Sequence, residues 1–141
     1  TFIEIALQVN EPEGIREALL VFFAFQGEDG NIVDGYIPES RANVDYEYRR
    51  SKLAPGLLAH KNTVETDQEA SLVQGIRKYV RVTGDRAILH EEIDGTRVLA
   101  RLEAALEYLL EDRFDAERGL LWGATTVAAG GVWLPRVGIG E

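Results

Sequence analysis

The stretch 96–112, TRVLARLEAALEYLLED, limits the possible folds more than any other. Val98, Leu99, Leu102, Ala105, Leu106, Leu109 and Leu110 recur at helical spacing, which lines one face of a helix with apolar side chains. That face must be buried against a second element. Arg97, Arg101, Glu103, Glu107 and Glu111 fall on the remaining surface and read as a solvated face with i,i+4 pairing. A second helix is predicted over 66–82, with Ala70, Leu72, Val73, Ile76, Tyr79 and Val80 on its apolar side and Thr83-Gly84 as its stop. Asp85 can cap a short helix to about residue 93, and Asp94-Gly95 breaks the chain again. The link between the two main helices is short, so they should run antiparallel.

Upstream, residues 2–9 alternate, with Ile3, Ile5, Leu7 and Val9 on one side, the pattern of a short half-buried strand or an extended lead-in. Asn10-Glu11-Pro12-Glu13 opens a helix that runs to about residue 25, with proline at its first position and acids in its first turn. Ile15, Ala18, Leu19, Phe22 and Phe23 form its stripe, and Leu20, Val21 and Phe25 widen it. The width implies burial on more than one side, and self-association through an apolar flank left exposed. No helical period survives from 27 to 65, where Gly30, Gly35, Pro38, Pro55 and Gly56 interrupt. A loop beyond about 15 residues in a compact domain is usually functional or disordered, and Ile32, Val33, Tyr36 and Ile37 favour the functional kind. Segment 113–126 is again irregular. Residues 127–140 hold one charge, Arg136, and four glycines, so the chain divides into a unit over 1–126 and an atypical glycine-rich tail over 127–141.

Connection lengths then make a spatial statement. Both long stretches, 26–65 and 113–141, belong at one end of an antiparallel helix set, the end where helix 66–82 begins. Asp34, Tyr36, Glu39, Trp122 and Thr125 should gather there with Glu65 and Asp67.

Composition removes several functions. With a net charge of -9 over 141 residues, the chain lacks the basic stripe that neutralises phosphates, so no nucleic acid is expected as a partner. The longest apolar run, 18–25, is far short of a membrane span. The opening TFIEIALQVN does not read as a secretory signal. The absence of Cys excludes disulfides and thiolate catalysis and leans toward a reducing, cytoplasmic setting. A start at Thr1 and a complete lack of Met read as a piece of a longer protein. His60 and His90 stand alone without metal-ligand spacing, and Gly138 with Gly140 lacks the strand-turn-helix context of a dinucleotide fingerprint. No metal and no cofactor are expected.

The chemistry concentrates in KNTVETDQEASLV, residues 61–73. Thr66 and Glu69 fit a capping box that would start the helix at 66. Asp67 then lies in the first turn, where unpaired amides favour an anion, and Glu65 lies just outside. Acids beside aromatic rings suit a carbohydrate, since rings stack on sugar faces and carboxylates accept hydroxyl hydrogens or act as acid and base. DGYIPES at 34–40, KNTVETDQEASLV at 61–73, TGD, RLEAALEYLLEDR and GLLWGATT at 119–126 resemble the six-hairpin glycosidase superfamily over most of residues 10–126. That resemblance implies an all-α fold, part of an (α/α) toroid, with a sugar-binding funnel and inverting glycoside hydrolysis in the full-length relative. Glu65 and Asp67 are the implied catalytic pair. Asp34, Tyr36, Glu39, Trp122 and Thr125 are the implied substrate-binding residues. Twelve helices need roughly 200 residues, so this chain cannot close such a ring, and VAAGGVWLPRVGIGE replaces the acidic and aromatic continuation after WGATT. The isolated chain is therefore expected to bind sugar with little or no turnover. The alternatives are a non-catalytic sugar-binding or protein-interaction module, or a gene fragment without function.

Overall fold

A computed structural model describes residues 3–43, 46–60 and 67–123. Four α-helices, α1 (Ile3–Val9), α2 (Pro12–Ala24), α3 (Gln68–Thr83) and α4 (Val98–Asp112), form the main layer. Three small antiparallel sheets accompany them: β1 (Gly35–Pro38) with β2 (Leu57–His60), β3 (Glu92–Ile93) with β4 (Thr96–Arg97), and β5 (Phe114–Asp115) with β6 (Leu120–Leu121). The described residues are 51% helical and 15% strand, which corrects the all-α expectation. The physical reason is the shortness of the strands. Pairs of two to four residues carry no detectable period, and β1 and β2 lie far apart in sequence.

Leu19 and Phe23 of α2, Leu72, Ile76 and Tyr79 of α3, and Val98, Leu102 and Ala105 of α4 form one core with Ile32 and Ile88. Gly75 of α3 faces Leu19 and Ile3, which lets α1 and α2 approach that helix closely. A second cluster, Phe25, Val33, Ala54 and Ala59, packs with Val21, Phe22 and Tyr36 on the other side of α2. The wide stripe of α2 is thus covered from two directions. None of its large apolar residues is strongly exposed, so the expected open flank is not on this helix. Exposed leucines lie instead on α4, at Leu99, Leu106 and Leu110.

Residues 3–9 form a helix, not the strand that their alternation suggested. Ile3 and Leu7, one helical turn apart, pack against the core, while Ile5 and Val9 point outward. Glu4 pairs with Arg81 and Lys78 of α3, so docking on α3 overrides the local pattern. The short helix expected over 85–93 contracts to a 3-10 turn, Ala87–His90, and the chain then makes the β3–β4 hairpin. Asp94 (φ 52) and Gly95 (φ 72) both adopt the left-handed backbone that a two-residue hairpin turn requires. Arg16 ties α2 to this link, donating to Asp85 (Nε–Oδ2 3.2 Å) and Glu91 (Nη2–Oε2 2.5 Å).

Candidate functional site

The site begins with the segment between α2 and β1, which knits to itself and then to both main helices. Gly27 donates to the Asn31 carbonyl and Gly30 to the Gly27 carbonyl, each at 3.0 Å. The Gln26 side-chain amide donates to Gly30 O at 3.0 Å and to Arg101 O of α4 at 2.8 Å. Gly30 has φ +91, and a Cβ there would stand 2.2 Å from the Ala104 carbonyl oxygen, so only glycine allows this approach. Ile32 and Val33 follow, both fully buried.

Glu69 is fully buried too, and its Oε1 accepts the Ile32 N–H at 2.8 Å. The helix starts at Gln68, with Asp67 at the N-cap position and no side-chain cap bond. Thr66, and with it the expected capping box, lies outside the described residues. Through Oε1 the Glu69 carboxylate forms a long-range clamp between the incoming loop and the first turn of α3. Asp34 lies two residues beyond Ile32, and Asp67 two residues before Glu69, so the clamp brings the two aspartates to one place.

Asp34 and Asp67 line a pocket of about 290 Å³ with Gln68 and Ser71, over an apolar floor that includes Leu19, Phe22, Val33 and Leu72. That volume is at the lower end for small-ligand sites, and an apolar floor with few polar groups is their usual character. Asp34 is held at two points: its N–H donates to His60 O at 2.9 Å, and its Oδ2 lies 3.4 Å from His60 Nδ1. The Asp67 carbonyl accepts the Ser71 N–H at 2.7 Å, and the Asp67 carboxylate sits where the helix end favours negative charge.

Next to Asp34 the structure assembles an aromatic group. The rings of Tyr46 and Tyr48 stand 5.2 and 6.5 Å from that of His60, both edge-on, and 6.1 Å from each other. Arg49 bridges to Ala59 of β2 by two backbone bonds, which lays this segment along the sheet. Sequence reasoning passed over these residues. In the sequence His60 stands without metal-ligand spacing, and the alternation of Tyr46, Glu47 and Tyr48 is the available signal that both tyrosines share a side.

The other predicted residues have separate places. Tyr36 donates its hydroxyl to Ala18 O at 3.0 Å and meets Phe22 edge-on at 5.2 Å; burial pushes its pKa up, and it supports the pocket from behind α2. Glu39 is exposed and pairs with Arg50 at 2.6 Å, away from the pocket lining. Trp122 packs under the Arg113 guanidinium, 4.9 Å from the ring centroid, and its backbone N–H donates to Arg113 O at 2.8 Å. Arg113 also donates to the Tyr108 hydroxyl at 2.9 Å. Burial chiefly raises the pKa of Tyr108, with Glu69 among the nearby charges that add to the shift. The end of α4 therefore lies near the start of α3, the antiparallel arrangement expected. Glu65 and Thr125 lie outside the described residues.

Among the described residues no group of three or more His, Asp or Glu side chains is arranged to hold a metal ion. No helix among them is long and apolar enough to cross a membrane. No protein-family model, curated protein or solved structure matches the chain.

Proposed function

We propose that the pocket between Asp34 and Asp67 binds a saccharide, and that the chain contributes this site to a glycoside-acting protein of the kind its sequence resembles. The observation that carries the reading is the convergence of two aspartates from separate segments on one apolar-floored pocket, with a histidine and two tyrosines beside one of them. Carboxylates accept hydroxyl hydrogens, and the apolar floor receives the C–H face of a pyranose ring. Inverting cleavage asks for more, an acid and a base roughly 6.5–9.5 Å apart on opposite faces of the scissile bond. Two carboxylates lining one small pocket suit binding better than that division of labour. The catalytic assignment of Glu65 and Asp67 belongs to the full-length relative, and the 141-residue chain binds with little turnover.

Titration calorimetry of the chain against a panel of monosaccharides and short oligosaccharides tests this. Asp34→Asn and Asp67→Asn should each weaken the best binder by about 5- to 50-fold, the range for losing one charge-assisted hydrogen bond. A panel with no binder, or a binder indifferent to both substitutions, overturns the reading. Rapid hydrolysis that survives Asp67→Asn and Glu65→Gln removes the assignment of roles.

A further inference from the structure

On the side of α3 away from α2, a trough of about 500 Å³ opens between α3 and α4. Its apolar part includes Val73, Ile76 and Val80 from α3 and Leu99 and Leu102 from α4. Its polar lining is basic, with Arg77, Arg86 and His90 and no carboxylate, in a chain whose net charge is -9. Along the α4 edge Leu99, Leu106 and Leu110 are 44%, 42% and 61% exposed. Seven and four residues apart, they form one narrow stripe, with the exposed Glu103 and Glu107 next to it.

We infer that this trough receives the α4 edge of a second copy of the chain, forming a two-fold dimer. Charge complementarity selects that occupant. The trough requires an apolar ridge accompanied by acids, and the α4 edge is such a ridge, with leucines for the apolar floor and Glu103 and Glu107 for the arginine-bearing wall. A two-fold axis lets each copy supply both parts, so the surface is complementary to itself. An amphipathic helix seated between two antiparallel helices is an established mode of recognition. The contact lies apart from the Asp34–Asp67 pocket and does not depend on what that pocket binds.

Sedimentation equilibrium of the whole chain across the micromolar range tests the dimer, with circular dichroism melts confirming that each variant is folded. Wild type should show a concentration-dependent monomer–dimer equilibrium. Leu106→Glu, at a position already exposed, should raise the dissociation constant at least about tenfold, the value of one buried leucine. Arg77→Glu should weaken association as well. Ile5→Glu, at an exposed apolar residue of α1, should leave it unchanged. A monomer throughout the range, whether the trough stays open or is filled by residues 124–141, overturns the inference. So does a dimer that withstands Leu106→Glu or Arg77→Glu, or one that Ile5→Glu weakens equally.

Discussion

Glu69→Ala tests the clamp that builds the pocket. In the wild type the Glu69 carboxylate, fully buried, accepts the buried Ile32 N–H at 2.8 Å. Truncation to alanine leaves that amide without its acceptor, at a cost of about 1–3 kcal/mol for a buried unpaired donor. It also removes a packed methylene, worth about 0.8 kcal/mol, and leaves a void. Together these predict a loss of about 2–4 kcal/mol, a large fraction of the stability of a domain this size. The midpoint of thermal unfolding should fall by about 8–15 °C. Glu69→Gln keeps an acceptor oxygen and nearly the same volume, so it should cost less than half as much. Urea unfolding followed by circular dichroism measures both, and native-state hydrogen exchange reads the Ile32 amide directly. That amide should exchange only through global opening in the wild type and much faster in Glu69→Ala. Loss of less than 0.5 kcal/mol in Glu69→Ala, within the range of ordinary surface substitutions, or a rapidly exchanging Ile32 amide in the wild type, would refute the clamp.

Gly30→Ala should destabilise the chain by at least about 2 kcal/mol, because the left-handed backbone and the contact 2.2 Å from Ala104 O both resist a Cβ; chemical denaturation measures it, and a neutral result would mean that the loop does not sit on α4. Burial pushes the pKa of Asp85 up, but hydrogen bonds from Tyr79 and Arg16 outweigh it and hold the carboxyl below its usual range. A lowered folded value means that this contribution is fully present above the unfolded pKa of about 3.9 and is lost as pH falls through the folded value. Asp85→Asn should therefore be less stable than wild type at neutral pH, with the gap narrowing below about pH 4 in parallel acid titrations of thermal stability.

The three long helices could be read from the sequence because each sustains a 3.6-residue period for three or more turns. Their observed limits lie within one or two residues of the expected ones. Leu102, Ala105 and Leu109 are buried because they recur on one face, and no tertiary knowledge was needed to see it. The strands escaped notice for the opposite reason: Leu57–His60 is defined by its partner, Gly35–Pro38, and a pairing across a long loop leaves no local trace. The alternation of Ile3, Ile5, Leu7 and Val9 misled because α3 supplies a docking surface that the local pattern cannot anticipate. At the site, Asp34 and Asp67 could be nominated from residue type and position, whereas His60 joins them only through the β1–β2 register, which pairs it with Gly35.

The longest-range buried hydrogen bond described for Glu69 coincides with the pocket. At α3 the N-cap Asp67 makes no side-chain cap bond, and Glu69 is directed across to Ile32. The first turn of α3 thus carries a buried bond that fixes the distance between two chain segments. One of those segments carries Asp34 and the other Asp67. A buried carboxylate that bonds across 37 residues thereby brings both aspartates to the lining of one apolar-floored pocket. Asp67 stays exposed at the helix start while Asp34 is half-buried, so the clamp fixes the backbone segments that carry the two aspartates and leaves one of them open to an incoming ligand.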